Sequence, residues 1–494
     1  MARRSVATYL GFTLARTAEP LKRVGSVLFF VRRILAAVLL IGGFAGVAHA
    51  QPADPQPSGT PISGMLPAFQ RWIDAVVPPP AFPIAPATPL VDAGGLSPDL
   101  AALRAATLPT PIGDAFVDEW PARLEDFSAG QLIAWRDVTA TAGPALIAPV
   151  KQVVQLKYRT TDSHGAASYA IASLALPAGE WTGGDERPVV VHNLPINSLG
   201  RDCNPSYTLA HGFSTSTNLA EYLPPTTQLA LLRGYAVLIT DHEGPRMAYA
   251  EPFVAGHAVL DSIRAVRGSM PHEFGDSRFG IIGYSGGAIA TKGAVKLMAD
   301  YAPELVDVVV GAAMGGVPAD YELLSRSMNA NLASGVFMAA TFAIGRERPE
   351  ILAHMNNLAQ WAALVMKDTC MNSYGLPGIL QLPMDIAANF PDPLHSALAQ
   401  DIYRVTRMDG MKSPVPLYIY NGGQEFWIPS EGARNLYNEQ CALGVPALYR
   451  SVPGEHIIAA FTGFPESLEW LGERLGGVPA PDECRTGPTV HPAS

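Results

Sequence analysis

From residue 153 onward the chain alternates between short apolar runs and segments with helical spacing, and that beat leaves few architectures open. Eight runs read as strands: 153–160, 167–177, 188–192, 235–241, 279–283, 306–312, 415–421 and 447–453. The first two are neighbours split by the turn-like Asp162-Ser163-His164-Gly165. Helical spacing fills 226–233, 253–266, 288–299, 430–442 and 466–475. Short buried strands separated by helices imply an α/β fold: a mostly parallel, eight-stranded sheet with helices on both faces. At 48% hydrophobic residues and 16% charged, the chain has material for a large core, which excludes a disordered protein. The beat stops between 315 and 409. That stretch reads as helices and loops, with apolar runs at 333–345 and 361–366. It lies between two core strands, so the expectation is a helical insertion dividing a core of 99–314 and 410–494. No internal repeat is visible.

The N-terminus reads as an address. Arg3, Arg4, Arg16, Lys22, Arg23, Arg32 and Arg33 precede a charge-free apolar run at 34–47, which ends in Ala48-His49-Ala50. A basic flank, a short apolar run and small residues before a cut describe a signal peptide of residues 1–50, cleaved near Ala50. The product is expected to be secreted or associated with the cell envelope. Residues 51–98 are rich in proline and read as an extended linker. Elsewhere no segment is long and apolar enough to cross a membrane. A net charge of −10 argues against a nucleic-acid partner, because phosphates demand Lys and Arg. Four cysteines, Cys203, Cys370, Cys441 and Cys484, imply two disulfides in an exported chain, with three pairings open.

The sharpest local signal is Gly283-Tyr284-Ser285-Gly286-Gly287, a G-x-S-x-G pattern between an expected strand and an expected helix. A serine on so sharp a turn needs glycine neighbours, since a Cβ at either place meets the adjoining elements. The turn presents the hydroxyl at a helix N-terminus, which favours negative charge. Serine is a weak nucleophile at neutral pH and needs a base. His456 follows the last expected strand, where this fold order delivers one. Glu425 is the acid in the loop after VPLYIY and is the candidate to orient His456; Asp320 is the substitute. The oxyanion requires two backbone N–H donors. Gly286 supplies one. In His192-Asn193-Leu194-Pro195 the choice is Leu194, with Asn193 next, because Pro195 has no N–H. His192 is expected to shape that turn. Asp241, His242 and Glu243 lack the partner spacing of a metal site and read as scaffold contacts. The chemistry requires neither a metal nor an organic cofactor.

Together with these, Cys203-Asn-Pro-Ser-Tyr207, Asp241-His-Glu-Gly-Pro245, Gly256-His-Ala-Val-Leu-Asp261, Tyr301-Ala-Pro-Glu-Leu305, Gly315-Gly-Val-Pro318 and Cys441-Ala-Leu-Gly444 resemble the secretory lipase family of α/β hydrolases. That family includes the fungal type A secreted lipases and actinobacterial relatives. The resemblance runs from about 153 to 475. It implies the α/β-hydrolase fold, a triad of Ser285, an acid and His456, and a helical lid over the site. It also implies an acyl-ester substrate and the disulfides Cys203–Cys370 and Cys441–Cys484. The chain departs from the family's acid loop, which usually carries Asp where Glu425 stands here. The expected function is a secreted serine carboxylic ester hydrolase of lipase type, with lipid contact through the lid and residues 333–366 governing chain length. An esterase of short-chain or acetylated natural products is the alternative, and a non-catalytic cell-envelope binding protein the remote one.

Overall fold

Alternate residues of the central strands face opposite layers of the molecule. The computed structural model of this chain describes residues 61–82, 88–92, 94–183, 186–214, 217–218 and 225–484. The expected leader and its cleavage site lie outside the described residues. The strands are β1 Leu132–Asp137, β2 Val150–Thr161, β3 Ala167–Pro177, β4 Val189–Asn193, β5 Ala236–Thr240, β6 Phe279–Tyr284, β7 Val309–Gly315, β8 Leu417–Gly422 and β9 Ala447–Val452. They form one nine-stranded sheet in the order β1-β2-β3-β5-β4-β6-β7-β8-β9. The first three pairings along this order, β1 with β2, β2 with β3 and β3 with β5, are antiparallel. All later ones are parallel.

The period of two sorts the core. Val189, Val191, Ile281, Leu417 and Ile419 pack into one layer, and Val190, Ile282, Tyr418 and Tyr420 into the other. Helices Pro252–Ser269, Gly286–Tyr301 and Ser430–Ala442 cover the first face; Phe464–Leu475 covers the second. Burial on both faces is why β4, β5 and β6 read as unbroken apolar runs rather than alternating ones.

Two sequence expectations need correction. The sheet has nine strands, not eight. The missed β1 is an edge strand carrying Arg136 and Asp137, with Trp135 62% exposed. Such an edge reads as polar loop because only β2 pairs with it. The proline-rich segment is also not wholly extended: it contains helix α1 Pro61–Val76. Gln70, Ile73 and Val77 are buried at helical spacing. Gln70 Nε2 donates to the carbonyls of Asp385 (2.7 Å) and Phe390 (2.9 Å), tying this helix to residues of the insertion.

After helix α2 Pro98–Thr107, the crossover helix α3 Pro252–Ser269 and the helix α4 Gly286–Tyr301 that follows β6, the chain leaves the sheet between β7 and β8. It forms α5 Tyr321–Met328, α6 Ser334–Glu347, α7 Asn357–Met366 and α8 Ala397–Arg407, with shorter turns between them. Buried side chains fix both roots of this excursion. Lys292 Nζ donates to Ala319 O (3.3 Å) and Thr406 O (3.0 Å), and Lys296 Nζ to Met408 O (3.0 Å) and Glu439 Oε2 (2.7 Å). Arg346 on α6 donates to five carbonyls: Thr107, Leu199, Arg246, Met247 and Lys367. The four cysteines form Cys203–Cys370 and Cys441–Cys484, the pairing the family resemblance implies. The first bridge ties the loop after β4 to the insertion. The second holds the segment after Phe464–Leu475 to the helix α9 Ser430–Ala442.

Candidate active site

Ser285 sits between β6 and α4 with φ 54° and ψ −120°, a conformation that costs a non-glycine residue about 1–3 kcal/mol. Its neighbours hold it there. Ser285 N donates to Gly315 O (2.9 Å), and the first turn of α4 closes on Ser285 O through Ala288 N (2.9 Å). The flanking glycines are sterically required. A Cβ on Gly283 would lie 2.3 Å from Gly287 O, and one on Gly287 would lie 1.9 Å from Asn193 O. Strand, turn, helix and the loop after β4 thus meet backbone to backbone, and the hydroxyl stands at the mouth of α4.

His456 opens helix α10 His456–Thr462, whose amide donors are capped by the Glu455 carboxylate (Ile457 N at 3.0 Å, Ile458 N at 3.1 Å). Its backbone carbonyl accepts from Tyr284 Oη (2.6 Å), which ties the histidine to the residue before the serine. Nε2 lies 2.9 Å from Ser285 Oγ, and Nδ1 lies 2.8 Å from Glu425 Oε2. With Nδ1–H donating to the carboxylate, Nε2 is free to receive the serine proton. Glu425 is held from its other side: Oε1 accepts from Trp427 N (2.9 Å) and Ile428 N (3.1 Å). Its side chain is 1% exposed. Burial pushes its pKa up, but the hydrogen bond and charge of His456 and the two backbone N–H groups outweigh that and hold it below the usual carboxylate range.

Asp320 lies elsewhere in its contacts. It is the N-cap of α5, accepting from Glu322 N (2.9 Å) and Leu323 N (3.4 Å), with Arg407 at 3.7 Å. His192 bonds Thr227 Oγ1 (2.7 Å), and burial lowers it to about 3, leaving a neutral ring that shapes the turn. Leu194 is buried, and its carbonyl accepts from Ile196 N (2.9 Å) and His242 Nε2 (2.8 Å). The residues of this turn that face the site are Pro195 and Asn197. Asn197 went unnoticed in the sequence. It has φ 49°, and its Oδ1 would lie 1.7 Å from a Cβ on Gly286. Asparagine is among the few residues that tolerate this backbone region, and that is the signal that marks it in Leu194-Pro-Ile-Asn197.

Ser285 and His456 open into a cavity of about 540 Å³ that runs beneath the insertion. Phe337 and Phe342 of α6, Met355, Ala359 of α7 and Leu398 of α8 line its depth, and Ile457 and Phe461 of α10 stand at the histidine. The site is therefore a polar relay at one end of an apolar chamber.

The sequence profile described as secretory lipase matches residues 213–483, more than half of the chain and a span that includes Ser285, Glu425 and His456. The chain belongs to the secretory lipase family. Lipase 10 of Candida albicans is 27% identical over 397 residues, covering 76% of this chain and 84% of that protein. A Mycobacterium tuberculosis protein named a probable inactive lipase is 26% identical over 385 residues, covering 75% and 84%. Among solved structures, Candida antarctica lipase A in its closed state matches with a TM-score of 0.70 at 27% identity, over 78% of this chain and 91% of that one. This secretory lipase accordingly has the α/β-hydrolase fold and is an ester hydrolase. Since one relative carries a name denoting inactivity, the geometry around Ser285 bears more on turnover than membership does.

Proposed function

We propose that this secretory lipase is an exported serine hydrolase that cleaves esters of long acyl chains through an acyl-enzyme. The observation that carries the reading is the Ser285–His456–Glu425 relay opening into the apolar chamber under the insertion. Ser285 Oγ attacks the ester carbonyl while His456 Nε2 takes its proton. Glu425 keeps the imidazole in the reactive tautomer and stabilises the imidazolium. The N–H of Gly286 and the Leu194–Asn197 turn, with Leu194 N–H as the second donor, hold the oxyanion. His456 then protonates the departing alcohol, and water repeats the sequence on the acyl-enzyme.

The chamber supports the substrate class. Each methylene buried there is worth roughly 0.8 kcal/mol, so longer chains are favoured until the space is filled. The helical insertion roofs the chamber as a lid, with α6 as its fixed part, and meets the lipid surface. Export is supported by family membership and by the pairing of all four cysteines, which suits an oxidising compartment.

The deciding experiment is a hydrolysis series of esters from acetate to stearate, run beside Ser285→Ala. Rates should rise with chain length in the parent and vanish in the variant, a loss of up to about a million-fold. A maximum at acetate would favour a short-chain esterase. Parent-like turnover in Ser285→Ala would remove the serine from the mechanism.

A further inference from the structure

Three consecutive buried residues follow β5, and none of them touches the Ser285 relay. Asp241 accepts from Ser206 N (3.1 Å) and from the Ser206 hydroxyl. His242 Nε2 donates to Leu194 O (2.8 Å). Glu243 Oε1 accepts from Ser198 N (3.4 Å). Each residue thus fastens a different point of the chain after β4: His242 and Glu243 hold the loop at 194 and 198, and Asp241 holds Ser206 in the helix Pro205–His211 that ends it. β4 and β5 are parallel neighbours, with Val191 opposite Leu238, so both loops leave the sheet at the edge that carries Ser285.

The loop being fastened is the one that needs outside support. Its first turn lies on the start of α4, against Gly287 and Gly286. It is not part of a helix or strand, Pro195 has no N–H, and Asn197 holds a left-handed conformation. Inside the turn, Ile196 N reaches Leu194 O (2.9 Å) and Ser198 Oγ reaches Ile196 O (2.6 Å). A peptide plane in so short a turn keeps its orientation only if its carbonyl is anchored. The anchor at Leu194 is a neutral imidazole: burial lowers His242 to about 4, against the opposing pull of the Leu194 hydrogen bond. A neutral ring that donates from Nε2 has a fixed tautomer, so the bond to Leu194 O persists throughout the neutral range.

We propose that His242 is a positioning residue for ester hydrolysis, holding the oxyanion turn in register with Gly286 through Leu194 O, with Glu243 fixing the far end of that turn through Ser198. The inference rests on the serine-hydrolase reading above and adds to it the residues that pre-organise the hole. Oxyanion donors act only on the charge that develops in the transition state. Loosening the turn therefore lowers kcat and the rate at which Ser285 reacts, and leaves substrate binding alone.

The test is a graded series at position 242 on the full chain, with a soluble butyrate ester and a short alkyl fluorophosphonate. His242→Leu removes the donor at similar size; His242→Asn keeps an amide N–H but falls short; His242→Gln places its amide nitrogen near the original Nε2. Removing one oxyanion donor outright costs about a hundred- to a thousand-fold in kcat, so a displaced turn in His242→Leu should cost about ten- to a hundred-fold, with KM within about twofold. Phosphonylation of Ser285 should slow by the same factor. His242→Gln should recover most of both rates, and His242→Asn should fall between. Parent-like kcat and labelling in folded His242→Leu, or a loss confined to KM, would overturn the proposal. If His242→Leu does not fold, the other two decide: equal kcat in folded His242→Asn and His242→Gln overturns it. Failure of the parent itself to react with the fluorophosphonate would instead remove the serine reading beneath it.

Discussion

Replacing Glu425 with glutamine changes one oxygen for an amide nitrogen at nearly constant shape, yet neither orientation of the amide fits the site. Three groups meet the carboxylate: His456 Nδ1 at Oε2, and the N–H groups of Trp427 and Ile428 at Oε1. If the amide oxygen stays with the two backbone donors, its NH2 faces Nδ1. The imidazole must then accept there and carry its proton on Nε2, where it can no longer take one from Ser285. If the amide turns over, its NH2 faces two backbone donors in a buried place, which costs about 1–3 kcal/mol for each group left unpaired. The first orientation wins, and it holds the wrong tautomer. Turnover on a soluble ester should fall about a hundred- to ten-thousand-fold with little change in KM. Glu425→Asp should keep more activity than Glu425→Gln, because it preserves the charge and loses only reach.

The same group gives a stability signature. The folded pKa of Glu425 is depressed, so its contribution is present in full above the ordinary carboxylate pKa and is lost as pH falls through the folded value. Urea unfolding of the parent and Glu425→Gln should therefore differ most near neutrality and converge in acid. The refuting result is a folded Glu425→Gln with near-parent turnover, above all if Asp320→Asn is dead. As an N-cap, Asp320 should instead leave kinetics intact when replaced: Asp320→Asn keeps the capping oxygen, and Asp320→Ala should cost about 1 kcal/mol of stability.

Phe337→Asp or Phe342→Asp places a charge in the wall of the chamber and should depress hydrolysis of long-chain esters far more than of acetate; equal losses would make α6 a mere support. Non-reducing peptide maps should show Cys203 joined to Cys370 and Cys441 to Cys484. Opening the first bridge with Cys203→Ser/Cys370→Ser should cost up to roughly 5 kcal/mol by the chain-entropy estimate, read as a lowered melting temperature. Burial depresses Lys292 to about 7 from the ordinary 10.5, with Lys296 adding to the shift. The unfolded chain then binds the extra proton between those values, so folding stability rises with pH across that window. Lys292→Met should flatten that rise in urea titrations at pH 7 and pH 10.

The strands that build the catalytic edge were legible because each is buried on both faces and bounded by turn residues. β1 was not, since an edge strand with Arg136, Asp137 and an exposed Trp135 carries no burial pattern. Ser285 announces itself through the glycines its turn requires. Glu425 was reachable only by position, as the acid in the loop after VPLYIY, because a loop carboxylate looks the same whether it faces water or an imidazole. Asn197 and the contacts of His242 belong to a turn with no periodicity to read. The disulfide partners are far apart in sequence, and nothing local distinguishes the three pairings.

Arg346 has a consequence for how selectivity can arise. Burial lowers its pKa to about 10, so the guanidinium stays charged at neutral pH, and its charge is spread over five carbonyl dipoles drawn from separate stretches of chain. Hydrogen bonds to a charged group are worth about 1.5–3 kcal/mol each, so prising α6 from the core costs on the order of a domain's entire folding free energy, about 5–15 kcal/mol. Helix α6 is masonry, not a door. The wall that presents Phe337 and Phe342 keeps its shape while esters come and go, and fitting different chains falls to side-chain rotamers and to the turns beyond Cys370. Under the long-chain reading proposed above, a fixed wall measures length as a ruler does, and the ruler is ready as soon as the chain has folded.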